Sequence, residues 1–479
     1  DEQVQVTVRG PQTREGLALD APSEGGSRLG LTSRELPASL EILPYTLLQQ
    51  RGARTVQEAV ESAVGVTVGD SPGNPSNFST RGFTNNQISV LHDGLKVGPP
   101  SMVGRPLDTW NLDRVEVLKG PASALFGEGA VGAVVNYVSK RPDRGPQTTE
   151  GQLTYGGFDS LRLGLGAGGP LGRQTLHYRA DYSLNRSDGF IDRTPSTLHN
   201  LTSAVLWDPT STLKLQVSFD AAHDDISPYW GTPLVPVSFA TDAIAGVVDT
   251  STNQTIDRRL SRINYNVSDN VMRSTTYWTR AKAEWQAAPG LLVRNEFYYL
   301  NADRTWKNAE TYAFNAGTRR IERDRFFVAH DQSIVGNRVE FQALRPIGGY
   351  ANRFLAGIDI SALDFFRPSF FADGDTVDPF SPTPGVFGTL VPANQTADIR
   401  TVAVFAEDYF AVRSNLKLAA SVRAEGISLD RRLFTTSGVL NPGPSFDRDF
   451  TPVTGKVGVV YDVRPSASLY AHVASAADP

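Results

Sequence analysis

From about residue 148 onward, apolar and polar side chains alternate over long stretches of the chain. Leu213, Leu215, Val217 and Phe219 are separated by Lys214, Gln216, Ser218 and Asp220. The pattern returns where Leu416, Leu418, Ala420, Val422 and Ala424 face Lys417, Ser421, Arg423 and Glu425, and again where Tyr277, Ala281, Ala283 and Trp285 oppose Arg280, Lys282, Glu284 and Gln286. A period of two sends successive side chains to opposite faces, so each stretch is predicted as a β-strand with one apolar and one polar face. The polar face carries full charges, which a wet lumen accepts and lipid rejects.

The connections alternate as well. Tight turns are predicted at Trp207-Asp208-Pro209-Thr210, Ala288-Pro289-Gly290, Arg345-Pro346-Ile347-Gly348-Gly349, Arg413-Ser414-Asn415 and Arg464-Pro465-Ser466. Between them lie longer connections, roughly 225–273, 303–330, 363–396 and 428–449. Short turns at one end and long loops at the other are what an up-and-down transmembrane barrel requires. A soluble β-sandwich shares the alternation but has no need of this order of loop lengths, and it stands as the alternative.

Upstream the texture differs. Residues 37–147 read as a small α/β domain. Thr55 is placed to cap a short helix through Val56-Gln57-Glu58-Ala59-Val60. Gly65-Val66-Thr67-Val68, Ile88-Ser89-Val90-Leu91 and Arg114-Val115-Glu116-Val117-Leu118 are predicted strands, and Asp93-Gly94 a tight turn. Residues 1–36 lack a sustained apolar period and are expected to be a mobile extension. One β-prone patch interrupts it, Gln3-Val4-Gln5-Val6-Thr7-Val8, able to add as a strand to another protein's sheet edge.

Composition narrows the classes. The chain has 479 residues, no cysteine and a net charge of −5, which removes disulfides and thiolate chemistry and gives no footing for a nucleic-acid partner. No run of about 18 apolar residues is present to form a transmembrane helix, a test that a barrel escapes. No signal peptide is visible at Asp1, so the chain is either cytoplasmic or processed.

Two enzyme-like motifs fail on their chemistry. Gly69-Asp70-Ser71-Pro72-Gly73 has the G-x-S-x-G spacing, but Pro72 carries no N–H for an oxyanion hole. Gly164-Leu165-Gly166-Ala167-Gly168-Gly169 mimics a dinucleotide loop but runs into Pro170 and a strand instead of a helix. The six histidines form no zinc or triad pattern, so no catalytic residue and no protein metal ligand is expected.

An ordered series of motifs resembles the plug domain of TonB-dependent siderophore receptors. It begins at Pro37-Ala38-Ser39-Leu40-Glu41-Ile42-Leu43 and Gly65-Val66, and continues through Thr80-Arg81-Gly82-Phe83 and Asp93-Gly94. Leu112-Asp113-Arg114-Val115-Glu116-Val117-Leu118-Lys119-Gly120-Pro121, Leu125-Phe126-Gly127 and Val135-Asn136-Tyr137-Val138-Ser139-Lys140-Arg141-Pro142 follow. The likeness extends through Gly169-Pro170-Leu171, Phe405-Ala406-Glu407-Asp408 and Val457-Gly458-Val459-Val460-Tyr461. Gly132-Ala133 stands where the family often has Gly-Gly. The extra periplasmic signalling domain of some relatives is not expected, because residues 1–36 hold no folded module.

The resemblance implies a small α/β plug inside an antiparallel transmembrane β-barrel, with domains at 1–36, 37–147 and 148–479. The family closes its barrel with about 22 strands, whereas about 13 are counted here. The chain is therefore expected to be a fragment, since an open edge in lipid is costly.

Function follows as an expectation: a monomeric receptor of the Gram-negative outer membrane, in contact with its lipid, that imports a ferric siderophore. Gln3, Val4, Gln5, Val6, Thr7 and Val8 resemble the TonB box, which a periplasm-spanning energy-transducing partner would pull. Ligand contacts are expected from Asp70, Ser71, Asn74, Asn77 and Phe78 in one plug loop and Met102, Arg105 and Trp110 in another. From the barrel loops, Tyr229, Trp230, Trp306 and Tyr312 are candidates, with loop packing or a membrane girdle as their alternative role. Arg81 and Glu116 resemble residues that lock the plug to opposite charges on the barrel wall, pairing within the plug being the alternative. No cofactor is expected, and iron would enter only inside its chelate. Cobalamin, another chelated metal or a saccharide are rival cargoes, and an ungated porin or adhesin barrel is the rival class.

Overall fold

The computed structural model describes residues 4–8, 19–71, 74–98, 105–464 and 467–478. Gln3 and Met102 lie outside the described residues, as do the side chains of Val4–Val8, Asp70, Ser71, Asn74 and Asn77.

Downstream of residue 147 the alternating segments form one large antiparallel sheet of 16 strands. Its path is a meander in chain order from Thr148–Gly156 to Ala467–Ala474, thirteen strands joined to their sequence neighbours, with two further hairpin strands, Tyr312–Asn315 and Leu440–Phe450, at the rim. Val4–Val8 adds to the free edge of Thr148–Gly156. The expected short turns fall between strands ending at Trp207, Ala288, Leu344 and Arg413 and strands starting at Leu213, Leu291, Asn352 and Leu416.

The strands run further outward than alternation indicated. Arg320–Leu344 spans 25 residues and Asn352–Val377 spans 26, so the long connections 303–330 and 363–396 shrink to a hairpin and a loop at 378–392. The outer ends, such as Arg320 to Arg325, carry charges on both faces, and Ile321 and Arg323 are buried against outer loops rather than against lipid or the inner domain, so the sequence shows no apolar period there.

Burial is inverted relative to a soluble sheet. On Leu213–Ile226 the apolar Val217 and Phe219 are 56% and 38% exposed, while Ser218 and Asp220 between them are 6% and 7% exposed. Arg280, Arg338, Asp359, Glu407 and Arg423 are buried on the same concave face, and Phe297, Ile358, Val402 and Leu418 are exposed on the convex one. Water would drive the opposite arrangement, so the convex face is built for an apolar solvent.

The concave face wraps residues 19–139. Their main sheet has five strands in the order Ser39–Pro44, Leu112–Lys119, Ala133–Ser139, Ile88–His92 and Leu95–Lys96, with one parallel pair. Helix Val56–Glu61 starts at a capping box formed by Thr55 and Glu58. Leu43, Leu48, Val56, Val60, Val115, Val117 and Val135 make the core, and Trp278, Tyr298 and Leu300 of the large sheet join it. A small hairpin sheet, Val66–Ser71 with Asn74–Thr80 and Phe83–Thr84, stands to one side.

Residues 19–36, expected to be mobile, are packed. Ser23, Ser27, Leu29, Leu31 and Leu36 are buried, the leucines against Leu118, Leu125 and Val134. Spaced leucines with glycines between them need no period to settle into a groove, so the segment gave no helical or strand signal.

Candidate functional site

The functional geometry is the seam between the inner domain and the concave face of the sheet. Asp108 opens a short turn over Thr109–Asn111 by accepting from the Trp110 N–H at 2.7 Å. The turn presents Trp110 to a flat stretch of wall at Gly164, where an added Cβ would collide with the indole, and the Trp110 Nε1 donates to the Leu165 carbonyl at 3.1 Å. The glycine-rich run 164–169 is thus a landing pad. Asn111 donates to the Asp181 carbonyl at 2.8 Å and accepts from Ser183 at 2.9 Å.

Ion pairs fix the register of this seat. Arg162 of the wall reaches Asp108 at 2.5 Å, and Arg105 of the inner domain grips Asp224 with its Nε at 3.0 Å and its Nη2. The Asp93–Gly94 turn, both residues at positive φ, inserts between two wall arginines. Arg280 pairs with Asp93 and with Asp220, and Arg338 donates to the Gly94 carbonyl at 3.3 Å while paired to Asp359 at 3.0 Å. Ser27 and the Arg28 N–H donate to Glu407 at 2.6 and 3.0 Å, and the Arg28 guanidinium pairs with Glu340 at 3.1 Å. Buried pairs of this kind stabilise little in net terms but leave a stranded charge when one partner is lost, so they specify the seat.

Between the inner domain and the wall lies a cavity of about 630 Å³, lined by charges of both signs that include Glu24, Arg141, Arg280, Lys282, Glu296 and Arg338. Burial disfavours the charged form of Glu24, but Arg141 overrides it and holds the carboxyl well below its usual range. Burial, then Arg280 and Arg141, hold His92 far below its ordinary value, so the ring is neutral beside Ser139 at 2.7 Å. His92, Asp93 and Asp220 bring donor atoms within 4.8 Å of one another. Arg280 is paired to both carboxylates and already supplies the positive charge there.

Several expected contacts are relocated. Glu116 does not meet the wall: fully buried, it accepts from Ser23 Oγ at 3.1 Å, the Gly25 N–H at 2.5 Å, Asn136 at 3.1 Å and Arg114 at 2.7 Å, all within the inner domain. Arg81 stands exposed in a tight turn at φ 52°, with no carboxylate paired to it among the described residues. Phe78 is a core residue, packed among the helices and strands that bury it. Arg105 and Trp110, expected to touch ligand, hold the seat instead, because the wall offers one a carboxylate and the other a glycine surface. Asp70, Ser71, Asn74 and Asn77 lie at the end of the Val66–Ser71 and Asn74–Thr80 hairpin.

The outer aromatics gather into packed groups. Trp230 stacks on Trp306 at 5.5 Å between centroids, beside Met272, Val328 and Phe326. Tyr312 packs on Tyr265 at 5.6 Å, and the Tyr229 hydroxyl meets Thr232 at 2.7 Å. Arg323, fully buried, donates to the carbonyls of Tyr265 and Pro384 and pairs with Asp375, tying two outer loops to one strand. Sequence reasoning gave no site role to Glu24, Arg28, Arg141, Arg280 or Arg338, although Arg141 stood in a plug motif and Arg280 on a polar strand face. The signal available for the wall residues was their place on the charged face of a strand.

Comparison with known families matches residues 32–134 to the TonB-dependent Receptor Plug Domain and residues 207–478 to the TonB dependent receptor-like beta-barrel. The ferric-pyoverdine M114 receptor PbuA of a Pseudomonas strain is 28% identical over 254 residues, 47% of this chain and 30% of the relative. The ferrioxamine receptor of Yersinia enterocolitica is 23% identical over 409 residues, 81% of this chain and 53% of the relative. The chain thus spans about half, or less, of the length of these curated relatives. Among solved structures, the ferripyoverdine receptor of Pseudomonas aeruginosa bound to ferripyoverdine superposes with a TM-score of 0.81 at 18% identity, covering 98% of this chain and 62% of that one, which shows a shared fold.

Proposed function

The chain belongs to the TonB-dependent receptor family, and from that membership we propose that it serves a Gram-negative outer-membrane receptor that binds a ferric siderophore and imports it. One observation carries the reading: a sheet with an apolar convex face holds a folded domain on its charged concave face by buried ion pairs. Ion pairs beside a charge-lined cavity can be exchanged for water when it enters, so such a seat suits a plug that has to be dislodged.

Capture falls to the outer hairpin 66–80 and the loops above Trp230 and Trp306. Relatives named for pyoverdine and ferrioxamine support a siderophore as cargo. One named as a metal-pseudopaline receptor keeps other metal chelates in view. Iron would arrive with its coordination shell filled by the chelator, without protein ligands. The energy would come from a periplasmic TonB-type partner that pairs with Val4–Val8, whose alternating valines suit strand addition.

Tryptophan fluorescence of the lipid-inserted receptor, titrated with ferric siderophores, their iron-free forms and cobalamin, tests the reading. Saturable quenching by one ferric chelate at submicromolar concentration is the expected result. Cobalamin alone would reassign the cargo, and silence across the panel would reject the siderophore assignment. Deleting residues 2–8 should then abolish uptake while leaving that titration unchanged.

A further inference from the structure

We propose that Arg141 is the coupling residue between the N-terminal segment and the barrel wall, so that drawing out residues 19–26 detaches the Asp93–Gly94 turn and opens the cavity beside it. This deepens the import reading and rests on it for the origin of the pull.

A continuous line of alternating charges joins the two ends. Glu24 pairs with Arg141 through both carboxylate oxygens, at 2.5 and 2.8 Å. The Arg141 Nη2 that serves Glu24 also donates to Asp93 Oδ1 at 3.2 Å. The other Asp93 oxygen is held by Arg280 of the wall, which in turn pairs with Asp220 at 2.5 Å. Each carboxylate and guanidinium along the line is shared between charged partners, and Asp93 Oδ1 also accepts from the Ser139 N–H at 2.9 Å, on the plug side. Loss of one partner therefore redistributes the bonds of the next.

The consequence has a direction. Force arriving from the N-terminal end meets Pro22 and Ser23, bonded to Arg114 and Glu116 of the plug sheet, and then Glu24, the first residue on this line to the wall. With Glu24 gone, Arg141 keeps one carboxylate, Asp93, and binds it more closely. Arg280 loses its share, and the turn swings off the wall toward Arg141. The space it swings beside is the 630 Å³ cavity, whose lining includes Ala21 to Glu24 on one side and Asp93, Gly94, Arg280 and Arg338 on the other. The N-terminal segment and the turn are thus two sides of one chamber, and Arg141 spans them. The same withdrawal takes Ser23 and Gly25 from Glu116, which retains Asn136 and Arg114, so the plug's own sheet keeps its buried carboxylate satisfied. The line yields at the wall while the plug core holds.

The chain has no cysteine, so Gln5→Cys gives a single attachment for a tether. The receptor is placed in a planar bilayer and pulled from its periplasmic side, with extension and ionic conductance recorded together. The expected result is that the first extension step coincides with a rise in conductance. In Glu24→Gln, where Arg141 already holds Asp93 alone, the resting conductance is raised, and in Arg141→Gln, where nothing draws the turn, it is not; in both the step persists, but the fraction accompanied by a further rise in conductance falls at least roughly fivefold, the change an interaction of about 1 kcal/mol produces. The double variant falls no further than either single. Arg51→Gln, at an exposed helix end, retains the wild-type fraction. Unchanged coincidence in Glu24→Gln, or extension without conductance in the wild type, overturns the inference. If Arg141→Gln does not fold, Glu24→Gln decides alone, since its side chain is a third exposed. The tether replaces the periplasmic partner and no ligand is added, so failure of the fluorescence titration and failure of this test are separate results.

Discussion

Arg105 shows how a side chain is misassigned when its partner is remote. It sits between two plug strands and reads as part of an outward loop, but Asp224, 119 residues away, takes two of its donors, and Ser274 Oγ accepts from the Nε at 3.2 Å. Both partners are buried. Arg105→Met should strand Asp224 and destabilise the seated plug by about 3–5 kcal/mol, whereas Arg105→Met with Asp224→Leu should return most of that loss. Denaturant unfolding of the four proteins in a double-mutant cycle checks this. Glu310, in the outer loop between Leu291–Asn308 and Tyr312–Asn315, offers a pH test. Burial, reinforced by Asp324 and partly offset by a hydrogen bond from Asn308, pushes its carboxyl up to about 7. The folded loop therefore holds a proton that the unfolded chain releases above its ordinary value of 4.5. Loop stability should be greatest below that value, fall as pH rises to about 7, and stay low above it. Hydrogen exchange of residues 308–312, corrected for intrinsic rates, should show this slope, and Glu310→Gln should remove it. Neither effect had a local signature. Phe78, Trp110 and Glu116 were likewise visible as notable residues, but what they touch is set by chain folding back from tens of positions away.

At the level of elements, much more was legible. The strand of Leu213 and the turn after Ala288 follow from a period of two and from Pro-Gly chemistry, both of which act within a few residues. The helix at Val56 follows from its capping box. What failed was the outer extension of Arg320–Leu344 and Asn352–Val377, where charges occur on both faces and burial comes from remote loops such as the one carrying Tyr265, so the pattern vanishes. The glycine run 164–169 was also opaque, because its partner is an indole from another domain. It yields a sharp prediction. Gly164→Val puts side-chain atoms where Trp110 lies and should destabilise the seat by about 1–3 kcal/mol. Gly151→Ala, whose nearest non-neighbouring atom would be the Gly164 carbonyl oxygen at 3.9 Å, should be close to neutral. Trp110 emission in a variant lacking the other tryptophans would report the difference: a red shift for Gly164→Val and none for Gly151→Ala.

For the whole molecule, two solvents decide the fold. Water on the concave side is displaced by a charged seat, and the convex side presents Ile358 and Val404 as a directly opposed, exposed cross-strand pair. In water such a surface would drive association; in a bilayer it costs nothing, and backbone pairing along the sheet supplies the hydrogen bonds that lipid cannot. Charge placed on that face must then be penalised by depth. Val404→Arg should weaken insertion into lipid vesicles by about 2–4 kcal/mol if the pair lies near the bilayer midplane. The same change at Ser437, exposed in an outer loop, should cost less than about 0.5 kcal/mol. Urea titration of vesicle-inserted receptor, read by the mobility shift of the folded form in cold electrophoresis, gives both values. Equal small costs at the two positions would mean that the convex face meets water or protein, and the apolar band would then have to be read as a contact surface for a partner. A cost confined to Val404 would leave lipid as the solvent against which this sequence was selected, and would explain why its charged residues are buried and its valines are not.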